Sequence, residues 1–265
     1  MSELNPCIAS YLPPPHIGFP ESYIHNLNAY KHKFPLILFS DYKWDIGEIH
    51  IGNPEAAKSP KNRWAVNNAL WLTALKIVDQ GKYSHVIFME ADSRVGCDNW
   101  DEVMWKEYVK LNPRPPIAGS AVIFNAFGAG LAAAKKYEQF FTKNKRKLIP
   151  IPSYGATGSA EKSEPRVFVN GSVAIYDMGL MRELFVFDKS QIQQALNITA
   201  FDFVIGQRLW DAYGMNSYDK IHNLACSYSS YGNILTTEDM RKQWLINGDF
   251  VAIHQVDGPW KGPRE

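Results

Sequence analysis

The chain has 265 residues and 30.1 kDa, with 46% hydrophobic and 21% charged residues, enough apolar material to bury a sizeable core. Its 28 basic and 27 acidic residues leave a net charge of +1, which excludes a global charge field aimed at nucleic acid or membrane. Three cysteines without close spacing, Cys7, Cys97 and Cys226, exclude a disulfide scaffold and a cysteine-based zinc site.

The first residues, Met1 to Tyr11, carry neither a basic region nor a long apolar run, so no signal peptide is expected. Ile8 to Tyr11 reads as a first short strand, followed by the Pro-rich stretch Pro13-Pro14-Pro15. Ile24, Leu27 and Tyr30 recur at helical spacing and predict a helix over about Pro20 to Lys31. Pro35 to Phe39 is a continuous apolar run, the pattern of a strand covered on both faces, and Ser40 and Asp41 follow at its carboxyl end. Ser59 and Pro60 suit the start of a helix whose Trp64, Trp71, Leu75 and Val78 share one face and which Gly81 stops. Asn68 lies within that stripe; a buried Asn needs partners, so it is expected to fix a neighbouring loop. His85 to Met89 is a second buried-type strand, ending in Glu90-Ala91-Asp92.

Strand, helix and strand in this order form a βαβ unit and imply a parallel sheet. In such sheets ligands sit beyond the carboxyl ends of the strands, where Asp41, Glu90 and Asp92 all fall. The most apolar stretch, Ile117 to Ala134, includes Ser120 and Asn125 and falls short of a bilayer span. A soluble, cytoplasmic protein with no membrane span is therefore expected. Leu131 to Lys143 predicts a basic helix, and Pro150 to Pro165 is Gly/Ser/Pro-rich and reads as a mobile loop. Arg166 to Tyr176 reads as a strand interrupted by Asn170-Gly171-Ser172. Ala200 to Tyr213 predicts a helix with Phe203, Leu209 and Tyr213 toward the core and Gly214 as its end. Asp249 to Val256 alternates, with Val251 and Ile253 on one face and His254 on the other. The fold class expected is α/β: one domain with a mostly parallel central sheet flanked by helices and an irregular C-terminal region.

Residue chemistry narrows the function. On a strand, residues i and i+2 point the same way, so Glu90 and Asp92 emerge together; unpaired they repel, and a divalent cation such as Mg²⁺ or Mn²⁺ resolves this. The competing reading is a turn in which Asp92 pairs with Arg94. His254 is either a hydrogen-bonded structural histidine or the single imidazole that Mn²⁺ accepts among oxygens. Lys261, seven residues on, supplies a charge for a phosphate. Asp202 is explained by a capping box, Thr199-Ala200-Phe201-Asp202, with a general base as the sharper alternative. Lys135, Lys136, Lys143, Lys145, Arg146 and Lys147 form a basic stretch that suits a solvated helix better than an anionic acceptor. The 8 Trp, 13 Tyr and 14 Phe suit sugar stacking, but an aromatic core is the commoner use, and the count alone decides nothing.

Taken in order, these residues resemble the GT-A fold glycosyltransferases that use nucleotide-sugar donors. Glu90-Ala91-Asp92 resembles that family's Asp-X-Asp element, and Asn62-Arg63-Trp64 through Asn67-Asn68 its Arg/Asn-rich preceding helix. Phe201-Asp202-Phe203-Val204-Ile205-Gly206-Gln207-Arg208-Leu209 is similar to the acceptor-side Glu-Asp-x-x-Leu-Gly-x-Arg-Leu stretch, with Phe201 where many inverting members have Glu. Asn170-Gly171-Ser172 resembles an Asn-Gly turn beside the sugar, and Ile253-His254 followed by Gly258 and Lys261 the C-terminal His…Gly…Lys segment, with one residue more before its Gly.

The resemblance implies transfer of a sugar from a nucleoside-diphosphate sugar, UDP-sugar first and GDP-sugar next, to a glycan or other hydroxyl-bearing acceptor; a nucleic-acid acceptor is not favoured. It implies a nucleotide-binding half over about residues 1–95 and an acceptor half over 96–265, with residues 150–165 closing over the donor. Mn²⁺ or Mg²⁺ is the implied cofactor, with Asp92 as principal ligand, Glu90 as ligand or ribose contact, and His254 as second ligand. Asp41 is implied at the base, Arg63 at the nucleotide, Lys261 at the diphosphate, and Asp202 as base if configuration inverts. Two alternatives stand: a non-catalytic carbohydrate-binding protein and a nucleotidyltransferase. The second is disfavoured because Leu12-Pro13-Pro14-Pro15-His16 holds no Gly-rich phosphate loop.

Overall fold

The computed structural model describes residues 4–12, 20–40, 49–51, 74–90, 93–124, 166–185, 201–228 and 238–253. Their architecture is mixed α/β. Seven strands form the main sheet in the order β3-β2-β1-β4-β7-β6-β8: β1 Pro6–Tyr11, β2 Leu36–Ser40, β3 Ile49–Ile51, β4 His85–Met89, β6 Ile117–Phe124, β7 Arg166–Asp177 and β8 Ile221–Asn223. The pairs β3/β2, β2/β1, β1/β4 and β6/β8 are parallel; β7 runs against both its neighbours. A second sheet, β5-β10-β9, is built from Arg94–Val95, Ala252–Ile253 and Ser227–Tyr228.

Both faces of the main sheet are covered, which is why its central strands read as unbroken apolar runs. Successive residues alternate between two cores. Cys7, Ala9, Val86, Phe88, Ala174 and Tyr176 face one side, against Leu75 and Val78 of the helical segment 74–80 (α2), Met181 of α4 (Met178–Leu184), and Ile205 and Leu209 of α5 (Phe201–Tyr213). Ile8, Ile87, Met89, Val173 and Ile175 face the other, against Tyr23 and Leu27 of α1 (Pro20–Ala29) and Trp100, Met104 and Tyr108 of α3 (Trp100–Val109). Each such buried side chain contributes roughly 1.5–3 kcal/mol, so Phe88→Ala is expected to cost about 3–5 kcal/mol.

The sequence expectations for β1, β2, β4, α1 and α5 hold, with changes of detail here and in neighbouring elements. The helix expected to run to Lys31 ends at Ala29 because the chain is drawn aside: Lys31 N–H donates to Asp98 and Lys31 C=O accepts from Asn99. Gly81 closes α2 but does not take the left-handed turn; Lys82 does, at φ 57°. The glycine is needed for space, since a Cβ there would stand 2.5 Å from the Tyr83 ring.

Residues 249–256 were expected to alternate as a strand, but only Ala252–Ile253 pair among the described residues. Asp249 instead belongs to the end of α6 (Glu238–Asn247). Gly248 at φ 76° donates to Leu245 C=O and Asp249 N–H reaches Trp244 C=O, a Schellman closure.

The apolar stretch from Ile117 enters the sheet as β6. The expected interruption at Asn170-Gly171-Ser172 takes the form of a register shift: β7 continues, but pairing passes from Gly119↔Ala174 to Ala121↔Val169, leaving extra β7 residues between them. No helix among the described residues is long and apolar enough to cross a membrane.

Candidate functional site

The carboxyl edge of the parallel strands collects the chain leading to three of the expected site residues. Ser10 pairs in register with Met89, and Tyr11 with Phe39, so β1, β4 and β2 end side by side. Ser40, the residue before Asp41, donates its hydroxyl to Leu12 C=O at 2.6 Å, and Leu12 N–H donates to Phe39 C=O at 3.0 Å. These two bonds fasten the last turns of β1 and β2 beyond the ladder.

Glu90 follows directly on β4 and is half-buried. Ser93 N–H donates to Glu90 C=O at 3.0 Å, tying the residue before β5 to the residue after β4. The strand ends at Met89, so Glu90 lies just beyond it, and the expectation that Glu90 and Asp92 share a face falls on Asp92, outside the described residues.

Just after this bond, β5 pairs antiparallel with β10, Arg94 opposite Ile253. The stretch entering His254 and the stretch leaving Asp92 are therefore hydrogen-bonded neighbours. Arg94 is fully buried; its guanidinium donates to Ser93 C=O at 2.8 Å and stands 5.8 Å from the Tyr23 ring centroid. Asn26 of α1 treats β5 as a partner strand would: its amide nitrogen donates to Val95 C=O at 3.1 Å and its oxygen accepts from Val95 N–H at 2.9 Å.

Asp41, Arg63, Asp92, His254 and Lys261 lie outside the described residues, as do Asn62 to Asn68, the basic stretch and residues 150–165. Asp202 is the second residue of α5, in its first turn; its side chain and the proposed cap at Thr199 are outside the description. Arg208, from the same sequence stretch, serves the fold: it donates to Leu184 C=O at 2.7 Å, at the end of α4, and lies over the Phe185 ring at 4.9 Å. Among the described residues, no three His, Cys, Asp or Glu side chains gather into a metal site.

Sequence reading missed Tyr23, Asn26 and Ser10. A signal was present for Asn26, which sits in the apolar stripe of α1 as Asn68 does in its own predicted helix.

At the opposite, amino edge of the sheet lies a cavity of about 360 Å³ whose lining includes His85, Tyr108, Arg114, Asp177, Tyr213 and Lys220. His85 Nε2 is 3.3 Å from Asp177 and 3.1 Å from the Tyr108 hydroxyl, and its ring meets Trp105 edge-on at 5.0 Å. Burial pushes His85 down to about 4 despite the opposing pull of Asp177, so the ring beside that carboxylate is neutral at pH 7. Every nitrogen of that ring has a partner, Ser84 taking Nδ1 at 3.0 Å. Among the described residues, this edge is built around its own contacts, and its lining does not include Glu90.

The described residues thus form a mostly parallel sheet flanked by helices, with a small second sheet beside it. No family model and no curated protein sequence matches the chain. Among solved structures it is similar to mouse xyloside xylosyltransferase 1 in its apo form, with a TM-score of 0.45 and 12% identity over 94% of this chain and 97% of that one.

Proposed function

We propose that the chain is a glycosyltransferase that moves a sugar from a nucleoside-diphosphate sugar, UDP-sugar first, to an acceptor hydroxyl, using Mn²⁺ or Mg²⁺. The observation that carries this reading is the convergence at the carboxyl edge: the end of β2 before Asp41, Glu90 at the end of β4, and β10 leading to His254. Ligands of parallel sheets bind beyond this edge.

Two carboxylates and one imidazole form a donor set suited to a hard divalent ion that also takes phosphate oxygens. In this reading Asp92 and His254 hold the ion and Glu90 joins them or takes the ribose. When bound, the ion offsets the negative charge that grows on the departing diphosphate. Lys261 adds a fixed positive charge there, which stabilises the transition state more than the ground state. Asp41 accepts from the base N–H, Arg63 contacts the nucleotide, and Asp202 takes the acceptor proton if configuration inverts.

Calorimetric titration of UDP, GDP, CDP and ADP, with Mn²⁺ present or chelated, tests the reading. One nucleotide is expected to bind, chelation to abolish binding, and Asp92→Asn to weaken it by more than the ~100-fold that changes around metal ligands cost. Absence of binding under every condition overturns the donor site and moves a non-catalytic carbohydrate-binding role ahead. Equal binding by Asp92→Asn removes the metal role of that residue.

A further inference from the structure

Four buried side chains flanking the Glu90–Asp92 stretch form a connected support. Ser10 donates its hydroxyl to Met89 C=O at 2.9 Å, at the last residue of β4 before Glu90. A serine has one hydroxyl proton, so the 2.5 Å contact between Ser10 and Tyr23 runs from the Tyr23 hydroxyl to Ser10 Oγ. Arg94, stacked near Tyr23, holds Ser93 C=O at the other end of that stretch, and Asn26 holds both backbone groups of Val95. Tyr23 and Asn26 are three residues apart on α1 and both fully buried, so one helical face serves the two ends of the stretch.

We propose that the Tyr23–Asn26 face of α1 is the positioning element of the Glu90–Asp92 stretch, with Tyr23 acting through Ser10 to hold Glu90 in place for the metal ion or the donor ribose. This rests on the donor-site reading given above. These residues touch no substrate; they act on the backbone that carries the carboxylates. Their bonds go to main-chain atoms on either side of the Glu90–Asp92 stretch, at Met89, Ser93 and Val95.

The test compares Tyr23→Phe with Tyr108→Phe, which removes a buried hydroxyl from His85 at the far end of the same strand. Metal-dependent nucleotide affinity and amide hydrogen exchange at Ser93 are the readouts. Tyr23→Phe is expected to raise the dissociation constant about tenfold or more and to speed exchange at Ser93, whereas Tyr108→Phe leaves both within about twofold. Ser10→Ala, which cuts the relay at its other member, gives the same pattern as Tyr23→Phe.

Unchanged affinity in Tyr23→Phe over a wild type that binds nucleotide overturns the positioning role and leaves the donor site standing. Equal losses in Tyr23→Phe and Tyr108→Phe also overturn it, since general loosening explains both. A wild type that binds no nucleotide removes the donor site and this proposal with it.

Discussion

Strand β4 carries an ionisable group at each end, and the fold treats the two differently. At its amino end His85 is enclosed by Ser84, Trp105, Tyr108 and Asp177, each meeting the imidazole itself. At its carboxyl end the bonds from Ser10, Arg94 and Asn26 all go to backbone atoms flanking Glu90 and Asp92. A side chain held by side chains is part of the structure. At the carboxyl end the support goes to the backbone on either side of the acidic residues, and this edge is the candidate site.

Of the changes at the two ends of β4, removing the backbone support is expected to have the largest effect on folding. Asn26→Ala leaves Val95 N–H and C=O buried without their partner and should cost about 2–4 kcal/mol in urea unfolding. A loss well under 1 kcal/mol would mean that water replaces the amide and that this end is less tightly held than its amino-edge counterpart.

At the other end the expected signature is a pH slope. His85 binds its proton near 4 in the folded chain and near its ordinary 6.5 when unfolded, so across that window the unfolded state holds more protons. Stability therefore rises with pH, is complete above 6.5, and is lost as pH falls toward 4, by at most about 1.4 kcal/mol per pH unit. Urea midpoints from pH 4.5 to 7.5 should show a shallower slope in His85→Gln; parallel curves would break the contrast drawn here.

Ser84→Ala is a milder probe of the same end. The Ser84 hydroxyl accepts from Asn5 N–H at 2.7 Å and bonds His85 Nδ1, and its loss should cost about 1 kcal/mol. Smallest of all is the effect expected of a thiol reagent on Cys7. Burial pushes that thiol up to about 12 and leaves it no exposed surface, so native protein should be labelled at Cys97 and Cys226, both half-buried, before Cys7.

The sequence made the central strands legible because His85 to Met89 and Leu36 to Phe39 face packed helices on both sides and carry no interruption. Helix α3 was not legible: Asp98, Asp101 and Glu107, at and within it, break its apolar pattern. In the fold these acids are tethers, Asp98 and Asp101 receiving the N–H groups of Lys31, Lys33 and Phe34, and Glu107 those of Ala225 and Cys226. Strands β5, β9 and β10 have two residues each, too short for any period to show; their pairing is decided by partners far along the chain.

Of the site, the acids after a buried strand could be read directly. The bonds that flank them, and the Tyr23 and Asn26 behind those bonds, follow from tertiary contacts that periodicity does not encode.

The rung between Arg94 and Ile253 also dates the site in the life of the chain. These partners are about 160 residues apart, and contacts of such separation form late because a long loop must close first. On the ribosome the parallel strands can assemble early, but the rung beside the acidic stretch cannot form until residue 253 has emerged. A nascent chain therefore could not carry a finished site until nearly all of it had been made.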